Sequence, residues 1–173
     1  MKTQVPLIVT AQIAENDLQP FDFLRQKHFP PARNFLKAHL TMFYRLPGEY
    51  RERILAQLEE TTSGIDAVSA DVTGIRHIGA GVAFSIESDA LTAIRAKLKS
   101  AFIKWLGSQD MQIWRPHITV QNKASKTAAD DLYRELRADF RPHSIRITGV
   151  DLWKYLDGPW EQEASIAFSR KET

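Results

Sequence analysis

Two short stretches carry side chains that could do chemistry together. His39-Leu40-Thr41-Met42 and His117-Ile118-Thr119-Val120 repeat one order: imidazole, apolar, hydroxyl, apolar. Side chains alternate along a strand, so His39 and Thr41 share one face while Leu40 and Met42 share the other. The same parity separates His117 and Thr119 from Ile118 and Val120. Each strand would bury an aliphatic face and offer an imidazole and a hydroxyl to a cleft. Two imidazoles facing one cleft suit displacement at a phosphodiester. One takes a proton from water or a ribose hydroxyl, and the other protonates the departing oxygen. An unperturbed histidine titrates near ~6.5, so either ring can do either job near neutral pH. The threonine hydroxyls would donate to the non-bridging oxygens, where negative charge grows in the transition state.

The elements that must position these residues follow from periodicity. Tyr50 to Glu60, Leu91 to Leu106 and Ala128 to Phe140 show helical spacing, and Phe21 to His28 makes a shorter helix stopped by Pro30-Pro31. Strand-like runs are Leu7 to Ile13, Ala38 to Tyr44, Ile65 to Ile75, Gly81 to Ile86, Pro116 to Asn122, Ser144 to Thr148, Leu152 to Tyr155 and Ala164 to Phe168. Most glycines, Gly149 among them, fall between these runs, where turns favour them. Many connections are too tight for parallel crossovers, which predicts an α+β fold with mainly antiparallel sheets. Each half places its histidine strand before a loop and an amphipathic helix. Two similar lobes about a pseudo-twofold axis would bring the two strands face to face.

At this point the residues carry a family likeness. The two His-x-Thr motifs, 117 − 39 = 78 residues apart, resemble the signature of the two-histidine (2H) phosphoesterases, which include the 2'-5' RNA ligase and cyclic phosphodiesterase families. Arg115-Pro116-His117-Ile118-Thr119-Val120 is especially similar to that family's second motif. Ala38 to Gly48 and the Gly79-x-Gly81-Val82 strand resemble its bacterial members, and the likeness covers most of the chain. It implies one bilobal α+β domain over 1–173: two mainly antiparallel sheets, helices on their outer faces, the active site in the central cleft. It further implies that His39 and His117 are catalytic and that Thr41 and Thr119 bind phosphate. The expected substrate is an RNA end or cyclic nucleotide, with no metal, no other cofactor and no obligate protein partner.

Composition narrows the alternatives. Lys plus Arg against Asp plus Glu gives 23 − 21 = +2, too mild to coat duplex nucleic acid but compatible with a local anion site. The chain has no cysteine, which excludes disulfides and thiolate metal sites and suits a reducing cytosol. The apolar run behind Lys2 is broken by Pro6 and Gln12 and lacks a clean cleavage site, so it reads as a strand rather than a leader. No segment approaches the ~18 apolar residues of a membrane span, so a soluble, cytoplasmic protein is expected. The histidines lack the i, i+4 pairing of a helical zinc site. A histidine-triad hydrolase would need alternating histidines on one strand. The remaining alternative is a module that holds a nucleotide or RNA end without turning it over.

Among lesser candidates, Arg45, Arg76, Arg115 and Lys123 lie in or near strands and could reach a phosphate, although solvated surface charge is the commoner fate. Trp153, Tyr155 and Trp160 could stack on a base or fill a core. His28, His77 and His143 lack the hydroxyl two positions on and are expected to be structural or superficial.

Overall fold

A computed structural model describes residues 5–170; residues 1–4, with the Lys2 weighed above, and residues 171–173 lie outside the described residues. In chain order the elements are β1 Leu7–Ile13, α1 Glu15–His28, β2 Leu40–Leu46, α2 Arg51–Thr62, β3 Ser63–Gly64, β4 Val68–His77 and β5 Val82–Glu87. There follow α3 Asp89–Phe102, α4 Ser108–Met111, β6 His117–Gln121, α5 Lys126–Asp139, β7 His143–Tyr155, β8 Trp160–Ala167 and β9 Ser169–Arg170. Ser88 and Ser125 start α3 and α5, their hydroxyls accepting from the amides of Leu91 and Ala128. The helix expected from Phe21 begins earlier, at Glu15, and carries Pro20 inside it. Glu15 and Asp17 in its first turn complement the positive end of the helix.

The fold is α+β, but its long strands form one sheet rather than two. Antiparallel pairing runs β1-β2-β6-β5-β4-β7, and β1 also pairs β7, so the circuit closes into a barrel. β8 extends the sheet from the second half of β7, and β3 and β9 form a separate parallel pair. The histidine strands β2 and β6 are therefore edge-to-edge neighbours, with Leu40 opposite Ile118, instead of facing one another across a gap. Joining them satisfies backbone groups that two separate sheets would leave at open edges.

Strand parity holds at both motifs. Leu40, Met42, Ile118 and Val120 are all fully buried in the hydrophobic core. Gly149 shows where local signals mislead. A break was expected there, yet β7 runs through it without interruption. A Cβ at Gly149 would lie 2.3 Å from the Ile166 carbonyl oxygen, so this glycine permits close approach of β8 and makes no turn. Among the described residues no helix is long and apolar enough to cross a membrane.

Candidate active site

Because Leu40 opposes Ile118 in an antiparallel pair, His39 stands opposite Thr119 and Thr41 stands opposite His117. The motifs thus cross, each imidazole facing the other strand's hydroxyl residue. Diagonal positions in such a pair lie about 7–8 Å apart, a span that one phosphate can bridge. Both imidazoles hang in the same way. His39 Nδ1 lies 2.8 Å from the Lys37 carbonyl oxygen, and His117 Nδ1 lies 2.8 Å from that of Arg115. A carbonyl only accepts, so each Nδ1 carries the proton and each Nε2 is left for the cleft.

The first motif is held from behind by α1. Arg25, only 4% exposed, donates through Nε to Asn34 Oδ1 and to the Leu36 carbonyl, both at 3.1 Å. Its Nη1 donates to the Thr119 carbonyl at 3.2 Å, so one guanidinium ties the lead-in to His39 to the second motif's strand. One turn earlier, Asp22 Oδ1 accepts from the Ala38 amide at 2.9 Å. Burial pulls the Arg25 pKa down to about 10, with Asp22 working against it, and the charge rests 4.1 Å over the Phe29 ring. His39 is half-buried against Trp160, ring centroids 4.6 Å apart. Desolvation chiefly, then the charges of Arg25 and His117, lower its pKa to about 4 despite the Lys37 bond. His39 is therefore neutral at physiological pH.

Beside His117 the surroundings differ. A cavity of about 440 Å³ opens there, lined by Tyr44, Arg76, Arg95, Trp114 and Arg115 among others. Arg95 is 5% exposed and spoken for, donating to the carbonyls of Met42 (3.1 Å) and Asp110 (3.0 Å). Its guanidinium lies 4.5 Å from the Phe43 ring centroid and 5.6 Å from that of Trp114. The buried Asp110 of α4 accepts from the backbone amides of Tyr44 and Arg45, and Trp114 Nε1 donates to the Thr41 carbonyl. These bonds fix the outgoing half of β2 as Arg25 fixes its start.

The profile of the 2'-5' RNA ligase superfamily matches residues 12–159, spanning both motifs. The chain belongs to that superfamily. TT0787 of Thermus thermophilus is similar in fold, with a TM-score of 0.67 at 15% identity, covering 94% of this chain and 97% of its own. The apo form of E. coli LigT gives 0.59 at 16% identity over 94% of this chain and 96% of its own. LigT complexed with 3'-AMP gives 0.60 at 16% over 95% and 98%. No curated protein sequence matches. Likeness at such identities shows a shared fold, and the superfamily membership rests on the profile.

In this superfamily member the four motif residues come together, and Arg76 and Arg115 line the cavity. Trp160 and Trp153 sit on the His39 side, their rings 6.0 Å apart, with Trp153 Nε1 donating to Thr10 Oγ1. Arg45 and Lys123 are exposed and are not among the residues lining that cavity, and Tyr155 is exposed opposite Trp160. His77 Nε2 meets Asp130 Oδ1 at 2.8 Å, away from the motifs. Among the described residues no group of three or more His, Cys, Asp or Glu could hold a metal ion. Arg25, Arg95 and Asp110 were absent from the sequence-based candidates.

Proposed function

We propose that this chain, read as one domain over 1–173, is a metal-independent phosphodiesterase for 2',3'-cyclic phosphate or 2'-5' linked ends of RNA and nucleotides. The crossed pairing of the two motifs, with both imidazoles hung by Nδ1, is the observation that carries it. His39, neutral and desolvated, takes a proton from the attacking water. The water oxygen bonds to phosphorus as the bond to one ribose oxygen breaks, and His117 gives that oxygen a proton. Both histidines then exchange protons with solvent and return to their starting forms. Thr41 and Thr119 donate to the non-bridging oxygens throughout. The cysteine-free composition supports a cytoplasmic setting.

The test is direct: incubate purified protein with 2',3'-cyclic nucleotides, cyclic-ended RNA and 2'-5' linked dinucleotides in chelator, and identify the product isomer. Turnover that survives chelator and disappears in His39→Ala and His117→Ala is expected. Turnover restored only by a divalent ion would overturn the metal-independent mechanism. Tight binding with no turnover of any of these would favour a module that only holds RNA ends.

A further inference from the structure

The row of residues directly opposed across β6, β5 and β4 leads away from the second motif. Thr119 faces Ala83, and Ala83 faces Arg76. In the adjacent row His117 faces Ser85, and Ser85 faces Gly74, at which an added Cβ would meet nothing within 4 Å. Directly opposed residues project to one face of a sheet. The floor running from His117 toward β4 is therefore built from the small residues Ser85, Ala83 and Gly74, and it ends at a guanidinium. Strands lie about 4.8 Å apart, so Arg76 stems from a position roughly 10 Å across the sheet from Thr119. Arg115, two residues before His117, also lines the cavity.

These two arginines differ from the others near the site. Arg25 and Arg95 are buried, and each donates to two backbone carbonyls. Arg76 and Arg115 make no side-chain hydrogen bond or ion pair with any described residue, yet both line the 440 Å³ cavity that opens at His117. Two unpaired guanidiniums converging on a cavity beside a phosphate site suit a second phosphate, which accepts bidentate donation. The half-buried Tyr44 and Trp114 rings beside them offer apolar walls for the nucleoside between the two phosphates.

We propose that this cavity is the seat of a second phosphate group, covalently linked through a nucleoside to the phosphate held by the two motifs. The inference rests on the phosphodiesterase reading of that site and narrows its substrate class. Ligands with two phosphates are preferred over those with one, whether the second is the next phosphate of an RNA strand or a 5'-phosphate on the same nucleoside.

Two measurements test it. Equilibrium binding compares adenosine 3',5'-bisphosphate with adenosine 3'-monophosphate, and needs no turnover. Kinetics compare adenosine 2',3'-cyclic phosphate, its 5'-phosphorylated form, and a dinucleotide ending in a 2',3'-cyclic phosphate. The preference expected for two phosphates is about tenfold or more, the size of one charge-assisted contact. It should collapse toward unity in Arg76→Gln combined with Arg115→Gln and shrink as salt rises. Lys97→Gln, an exposed charge on α3, should leave the ratio intact. Which of the two-phosphate substrates gains more tells the strand source from the 5'-phosphate source. Equal affinity for one and two phosphates, or a preference untouched by the double variant, overturns the second seat. A binding preference without turnover of any substrate would uphold the seat and sink the phosphodiesterase reading instead.

Discussion

The two motifs share a pattern and differ in everything around it. His39 sits against Trp160, above a buried arginine that binds its lead-in, and is held neutral. His117 lines a cavity together with Arg76 and Arg115, whose side chains have no hydrogen bond or ion pair among the described residues. The local geometry is the same, down to equal 2.8 Å contacts from Nδ1 to a carbonyl two residues back. The repeated motif thus leaves the same atom, Nε2, of each ring without a backbone bond, while the surroundings of the two rings differ. In the proposed mechanism the neutral ring of His39 accepts the proton, and His117, beside the arginine-lined cavity, gives one.

The largest effects should come from the rings themselves. His39→Ala and His117→Ala are each expected to lower kcat by ~10²–10⁴-fold, the usual range for one acid–base partner. The double variant should be little worse than either single one, because the two act as a unit. Single-turnover rates with a cyclic-ended dinucleotide check this. Near-normal turnover in one single variant would break the division of labour between the two sides.

Next comes the anchor that belongs to the first motif alone. Arg25→Met removes the donor to the partly buried carbonyls of Leu36 and Thr119; a fully buried group left unsatisfied costs about 1–3 kcal/mol and water reaches these two in part, so a loss of about 1–2 kcal/mol in urea denaturation is expected. It also removes a positive charge that lowers the His39 pKa, which should rise. Unchanged stability would mean that the His39 lead-in is held by Asp22 and its neighbours without the guanidinium.

The motifs, their parity and most helices were legible because they depend on residues within a few positions. Arg25 was not, since its partner Thr119 lies 94 residues away. A lone arginine in an amphipathic helix has the composition of a solvated face, and only the tertiary contact makes it a buried strut. Arg95 and Asp110 were hidden for the same reason, and α4 has too few residues to show a period. Gly149 misled because a glycine that admits a neighbouring strand looks the same in sequence as one that turns the chain. The pairing of β2 with β6 was also beyond reach, because an internal echo shows two similar halves without showing how their edges meet.

The hydroxyls provide a finer probe of the same asymmetry. Thr41→Val and Thr119→Val each remove one donor to a charged oxygen, at about 2 kcal/mol, roughly 30-fold in kcat/KM. Thr41 is buried at 8% exposure, while Thr119 is half-exposed. Equal costs would mean that the phosphate is shared evenly between the motifs despite their different settings. A smaller cost at Thr119 would mean that water substitutes there.

The smallest effect is also the one that isolates His39. Its folded pKa, about 4, lies below the 6.5 of an unperturbed ring, so between those values the unfolded chain binds a proton that the folded chain refuses. Unfolding free energy then rises with pH across that window. The contribution is fully present above about pH 6.5, falls as pH drops, and is gone below about pH 4. Its slope has a ceiling of about 1.4 kcal/mol per pH unit, reduced by the solvent that reaches a half-buried ring. His28, whose pKa is also lowered by burial, and Glu163, lowered by its bond to Arg51, add slopes of the same sign. The raised pKa of the partly buried Asp151 opposes them. The difference between wild type and His39→Gln cancels these shared terms. Urea denaturation at pH 7 and pH 5 should show a smaller loss on acidification in the variant. The acid limb of kcat/KM in the wild type should likewise lie well below pH 6.5. An acid limb near 6.5 together with equal pH slopes would mean that the surroundings of His39 do not desolvate it, and the contrast between the two sides would then reduce to the arginine cavity alone.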